Sequence, residues 1–221
     1  MPAPNAAEGD APKWGVADLL LWKLVPQRLG GGRPYIQRYK DAWVRHHRAT
    51  IRREAGRFGL PGPMLAGVCW IEVGGDPTFI DSVAFAVRNF DWSGPDWVDR
   101  HMTITSPPGK TSFGAVSIQL RTAAETLGRD PAKMSSGELM TLATLLEKDA
   151  DNITIVARHL SQLARHDGLA RALTLGDPQA IRVVGARYNR GVGLSIEQIR
   201  RNTSYGDFIV KFWPRFVSLV A

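Results

Sequence analysis

The chain of 221 residues is 44% apolar and 22% charged, with 22 glycines, 14 prolines and one cysteine, the composition of a globular protein long enough to bury a core of its own. Cys69 has no partner within the chain, which excludes a disulfide framework. Lys and Arg outnumber Asp and Glu by 28 to 21, and the net charge of +7 favours a polyanionic partner: nucleic acid, a lipid surface or an acidic cell-wall polymer.

Residues 1–13 place Pro2, Pro4 and Pro12 among small residues and read as a disordered leader or linker. They lack the basic start and apolar run of a secretory signal. The apolar stretch Trp14–Val25 is interrupted by Asp18 and Lys23, and nothing reaches the roughly 18 apolar residues of a membrane span, so an integral membrane protein is not expected. Pro34–Phe58 reads as one long helix with Tyr35, Ile36, Tyr39, Ala42, Trp43 and His46 on its apolar side, ended by Gly59-Leu60-Pro61-Gly62-Pro63.

A second helix is predicted from about Pro63 to Val73, with Leu65, Val68, Cys69 and Glu72 on one face and a stop at Gly74-Gly75-Asp76-Pro77. Glu72 then occupies the inward side of the last turn. Burial and the negative end of the helix dipole both disfavour a carboxylate there, so its pKa should rise. Residues 76–111 show no long periodic run; His101–Thr105 alternates and could pair with Ser112–Ile118 across Pro107-Pro108-Gly109-Lys110 as a small hairpin.

From Leu120 onward the pattern is helical again. Asp149–Arg165 is in 3.6-residue register; Asp177-Pro178 caps a helix with Ile181, Val184 and Tyr188 on one face; Tyr205–Leu219 is a last apolar helix broken at Pro214. The expected fold is mainly α, a helical bundle around a long core helix with a loop-rich or small β-hairpin insert. Residues 14–59 read as an N-terminal helical extension and 60–221 as the domain that carries the chemistry.

Charge is distributed unevenly. Residues 33–57 hold eight basic residues against Asp41 and Glu54, whereas residues 72–99 hold six acidic residues against Arg88. The acidic segment also contains Phe79, Phe85, Phe90, Trp92 and Trp97. Carboxylates beside indole rings suit a carbohydrate site, with acids for the glycosidic bond and flat faces for sugar rings.

Four blocks occur in order. Ala66-Gly67-Val68-Cys69-Trp70-Ile71-Glu72 resembles the catalytic-glutamate helix of the goose-type lysozyme and lytic transglycosylase superfamily. Thr111-Ser112-Phe113-Gly114-Ala115-Val116-Ser117-Ile118-Gln119-Leu120 is similar to its Ser-x-Gly and Gln-Ile/Leu motif, Asp149-Ala150-Asp151-Asn152-Ile153 to its Asp-Pro-x-x-Asn-Ile helix start, and Ala186-Arg187-Tyr188-Asn189-Arg190-Gly191 to its Ala-x-Tyr-Asn-x-Gly block. The resemblance spans about residues 60–195. The family's Glu-Ser pair is Glu72-Val73 here, and its Gly-Leu-Met-Gln is Val116-Ser117-Ile118-Gln119.

This resemblance implies a lysozyme-like α+β fold and a peptidoglycan glycosidase. Glu72 would be the general acid protonating the bond between N-acetylmuramic acid and N-acetylglucosamine. Ser112 and Gln119 would lie along the cleft, Tyr188 near Glu72 or the sugar, and Asn189 would brace the loop; Trp92 and Trp97 are candidate sugar platforms. Asp81, Asp91 and Asp96 are the candidates for a second carboxylate. A hydrolase requires one, as a base about 6.5–9.5 Å or a nucleophile about 5–5.5 Å from the acid; a lytic transglycosylase requires none. The expected setting is a cell-wall toxin or lysin made in the bacterial cytoplasm without a signal peptide. It would act in the periplasm or wall, with glycan strands as substrate and an immunity protein and a secretion-apparatus carrier as partners.

Other chemistries find less support. Cys69 lies on an apolar helix face, as an inert buried thiol does. His46, His47, His101, His159 and His166 form no metal-ligand pattern, and His159 and His166 fall on a polar helix edge. Gly30-Gly31-Gly32 follows no strand and lacks a phosphate-loop ending, so neither a metal nor another cofactor is expected. The rivals are a basic nucleic-acid-binding module built on residues 33–57 and an inactive lysozyme-like domain that only binds glycan or a partner. In the first, arginines opposite an aromatic stripe are more simply a solvated face over a buried seam.

Overall fold

The computed structural model describes residues 11–74 and 112–221. It is mainly helical, as expected: twelve α-helices and one two-stranded hairpin occur among the described residues. They are α1 (Val16–Lys23), α2 (Gly32–His46), α3 (Arg48–Phe58), α4 (Gly62–Glu72), β1 (Ser112–Phe113), β2 (Ile118–Gln119), α5 (Leu120–Thr126), α6 (Ser136–Leu146), α7 (Asp149–His166), α8 (Ala170–Thr174), α9 (Pro178–Arg190), α10 (Ile196–Arg200), α11 (Ser204–Lys211) and α12 (Trp213–Val220). No described helix is long and apolar enough to cross a membrane.

The described residues form two compact units: residues 11–13, 37–73 and 153–221 make one, and 14–36, 74 and 112–152 the other. Residues 37–59, expected as part of an extension, thus belong to the same unit as α4. In this first unit α4 is the central element and packs against α3, α11 and α12. Its residues Met64 to Trp70 are all buried, so the helix is enclosed on every side rather than along the single face read from the sequence. Pro63 fits its first turn, where no backbone donor is missed. A Cβ on Gly67 would stand 3.0 Å from Ile209 and 3.1 Å from Phe216, so the glycine sets how closely α11 and α12 approach. Burying each large side chain, Trp43, Ile51, Leu65 and Phe216 among them, contributes on the order of 2 kcal/mol.

The helix expected over Pro34–Phe58 is two helices, interrupted at His47. The Arg48 guanidinium donates to the Arg45 carbonyl at 3.0 Å, and the His47 ring lies 4.2 Å from that of Trp43; both fit a local break. Ile36, Tyr39, Trp43, Val44 and Ile51 are buried while Arg33, Arg38, Arg45, Arg48, Arg52, Arg53 and Arg57 are exposed, the seam and solvated face expected. His46, placed on the apolar side, is exposed instead. Pro12, expected in a disordered leader, is buried, and its carbonyl accepts from the Tyr39 hydroxyl at 3.3 Å.

α9 begins where expected: Asp177 accepts from the Ala180 amide at 2.7 Å and Pro178 fills the first turn. It packs mainly on α11 through Gly185 and Gly206. A Cβ on Gly206 would reach 2.2 Å from the Arg182 carbonyl oxygen, and one on Gly185 would reach 2.8 Å from the Gly206 Cα. Only glycines permit this approach. The last apolar segment breaks at Phe212, two residues before the expected Pro214, because the proline is better placed in the first turn of α12.

In the second unit β1 and β2 pair antiparallel, Ser112 with Gln119 and Phe113 with Ile118. Residues 112–118, expected to be one arm of a hairpin, fold back on themselves around Gly114, which has φ +77°; the proposed partner arm, 101–105, lies outside the described residues. A side chain at Gly114 would meet the Leu146 carbonyl at 2.3 Å and Asn152 at 2.6 Å. Asn152, fully buried, accepts from the Val116 amide at 2.9 Å. Two of the four motif blocks therefore meet in one buried contact.

Candidate active site at the end of a buried helix

Glu72 is the last residue of α4 and half-buried. Tyr205, at the start of α11, donates its hydroxyl to Glu72 Oε1 at 2.8 Å. Tyr188, in the last turn of α9, lies beside it in a tilted ring contact with centroids 5.9 Å apart. The Tyr188 hydroxyl is buried and has no hydrogen-bond partner among the described residues, an arrangement that costs about 1–3 kcal/mol unless something else satisfies it. The His159 ring lies 5.8 Å from that of Tyr188. His159 is thus a half-buried neighbour of the phenol pair and not on the polar edge read from the sequence. Cys69 is fully buried, as expected of an inert thiol.

Electrostatics follow from this enclosure. Burial pushes the Glu72 carboxyl above its ordinary pKa, while the Tyr205 hydrogen bond and the positive charge of Lys40 pull it partly back. The rise expected at this position is present, with burial as its main cause. The helix end, expected to add to it, instead carries a cation. Lys40 projects from α2 and is 8% exposed; its ammonium donates to the Trp70 carbonyl at 2.9 Å and the Ile71 carbonyl at 2.6 Å. Burial lowers its pKa to about 8, against the opposing pull of Glu72. Both phenols are held protonated, each pushed well above the usual tyrosine value by burial first and the Glu72 charge second.

The last turn of α4 is braced further through Trp70. Its indole nitrogen donates to Asp41 Oδ1 at 2.8 Å, and Arg215 from α12 grips both oxygens of Asp41 at 2.9 Å. The Arg215 guanidinium lies 5.0 Å from the centre of the Trp70 ring and Phe208 stacks on it at 5.6 Å. Three other helices, α2, α11 and α12, therefore hold the turn that carries the Glu72 carboxyl. Such a group can hold a proton closer to neutrality than a solvated glutamate and deliver it to a bound base.

Of the residues expected at the site, Glu72 and Tyr188 come together. Asn189 is exposed in the last turn of α9, Gln119 is exposed in β2 of the other unit, and Ser112 is in β1. Asp81, Asp91, Asp96, Trp92 and Trp97 lie outside the described residues. Lys40 and Tyr205 were not expected. Lys40 falls three and four residues from Trp43, Val44 and Ile36, so the stripe itself marks it as inward-facing; Tyr205 carries no local signal beyond the glycine after it. No cluster of three or more His, Cys, Asp or Glu able to hold a metal ion occurs among the described residues.

Comparison of the chain with protein-family profiles, with curated proteins and with solved structures gave no match. The functional reading therefore rests on the motifs and on the geometry around Glu72.

Proposed function

We propose that the protein is a peptidoglycan glycosidase in which Glu72 is the general acid. It cleaves the β-1,4 bond between N-acetylmuramic acid and N-acetylglucosamine, as a toxin or lysin acting on a bacterial wall. The observation that carries this reading is the half-buried Glu72 carboxyl, its proton affinity raised by burial, at the end of the enclosed helix α4. Protonated, it gives its proton to the departing glycosidic oxygen as the C–O bond breaks and positive charge develops on the sugar. Tyr205 occupies Oε1 and orients the carboxyl so that the other oxygen, with no hydrogen bond from the described residues, faces the leaving group. The buried Tyr188 hydroxyl is a donor suited to a polar atom of the substrate.

Digestion of purified sacculi by wild type and Glu72→Gln, with products read by mass spectrometry, tests the reading. Wild type is expected to release muropeptides and the variant to release none; equal digestion by both overturns it. Anhydro ends on the products would mark a lytic transglycosylase, and reducing ends a hydrolase with a second carboxylate.

A further inference from the structure

The motif blocks contain no role for a lysine, and Lys40 lies outside all of them. Yet it is the one basic residue of 33–57 that is buried, while the seven arginines around it are exposed. A long cationic side chain enters a core only at a cost, and it does so here to reach the last turn of α4. Its two hydrogen bonds satisfy carbonyls that the helix leaves unpaired at its end, and its charge opposes the negative pole there. The same turn ends in Glu72. The ammonium also lies 5.3 Å from the centre of the Trp70 ring, within reach of a cation–π attraction.

We propose that Lys40 is a positioning residue for Glu72: by tying down the last two carbonyls before the acid and setting a positive charge at that turn, it fixes the turn and governs when the acid gives up its proton. The catalytic consequence rests on the glycosidase reading; the coupling between the two side chains does not. Among the described residues the groups that act on Glu72 are Lys40 from α2, Tyr205 from α11 and Tyr188 from α9, with Cys69 of its own helix acting on the two phenols. Asp41 and Arg215 lie next along the same turn but are spent on each other and on Trp70. Of these described groups only Lys40 is cationic. Its pKa of about 8 keeps it charged at neutral pH, and the pairing is reciprocal, each charge favouring the other.

The test is an NMR titration of the protein with glutamate labelled at the side-chain carboxyl carbon, in wild type, Lys40→Met and Lys40→Arg. The Glu72 midpoint is expected to rise in Lys40→Met, which removes the charge that favours the ionised acid, and to stay near wild type in Lys40→Arg. The alkaline limb of kcat on sacculi should move with it, whereas a merely structural role would lower the rate at every pH without moving the limb. Should Lys40→Met not fold, Glu72→Gln supplies the reciprocal measurement: Lys40 must then titrate below its wild-type value, having lost its anion. An unmoved Glu72 midpoint in folded Lys40→Met, or an unmoved Lys40 midpoint in Glu72→Gln, overturns the proposal. Full digestion of sacculi by Glu72→Gln would sink the glycosidase reading and leave these titrations standing.

Discussion

Two carboxyls in the same unit are enclosed by protein and meet opposite fates. Asp167 is gripped by Arg187, whose Nε and Nη2 donate to its two oxygens at 2.9 and 2.8 Å, with the side chains 4% and 1% exposed. Arg187 also donates to the Gly191 and Leu194 carbonyls at 3.2 and 2.6 Å, which closes the loop after α9. Glu72 has one phenol, a lysine engaged mainly with backbone, and a second phenol that bonds nothing among the described residues. A saturated pair is a structural rivet. An under-satisfied one keeps capacity for a substrate, and Arg187 directly precedes Tyr188, so the rivet holds the turn that presents the open phenol.

The comparison breaks first under substitution. Glu72→Gln is expected to lower kcat on sacculi by about 100-fold or more while circular dichroism stays as in wild type and no stability is lost. Arg187→Leu should do the reverse, costing about 3–5 kcal/mol in denaturant titration, because it leaves Asp167 buried without a counter-ion. If Arg187→Leu proved as stable as wild type, the distinction between rivet and open site would fail.

Tyr205→Phe removes one hydrogen bond to the carboxyl and should raise the Glu72 titration midpoint further, shifting the alkaline limb of activity upward, since that bond favours the ionised form. A downward shift would mean that the phenol serves the protonated acid instead. Stability against pH offers a subtler view. A carboxyl whose pKa is raised by folding stabilises the native state fully below its unfolded value near 4.5, and that contribution is lost as pH rises through the folded value. Glu72→Gln should therefore gain on wild type in unfolding free energy as pH rises above the unfolded value near 4.5. A pH-independent difference would contradict it.

The smallest effect on stability belongs to the exposed arginines of α2 and α3. Neutralising Arg45, Arg48 and Arg52 should change unfolding free energy by about 0.5 kcal/mol or less. Retention on sacculi should fall at low salt, with turnover of short soluble glycans preserved. Unchanged retention would leave that face without a role in wall binding.

Sequence patterning reached Glu72 because its causes are local: seven consecutive small or apolar residues before it, proline at one end of the helix and glycines at the other. Tyr188 was reached through a short motif. Neither route could reveal that Tyr205 completes the pair, because its position depends on Gly185 and Gly206 letting two helices touch, a fact of packing with no periodicity of its own. Lys40 was hidden by company, one cation among eight in its stretch, although its neighbours Ile36, Tyr39, Trp43 and Val44 place it in the buried seam. The interruption at His47 likewise escaped, because no glycine or proline marks it in the sequence.

The hydrogen bond between Tyr205 and Glu72 joins positions 133 residues apart. At about 5–20 residues per second, a ribosome takes on the order of ten seconds to add that stretch. Throughout that time the acid exists without its phenol, and Asp41 without Arg215. A chain released before Ser204 would carry the four motif blocks and still lack the phenol that orients the carboxyl, so the finished site waits on the segment from Ser204 to Arg215.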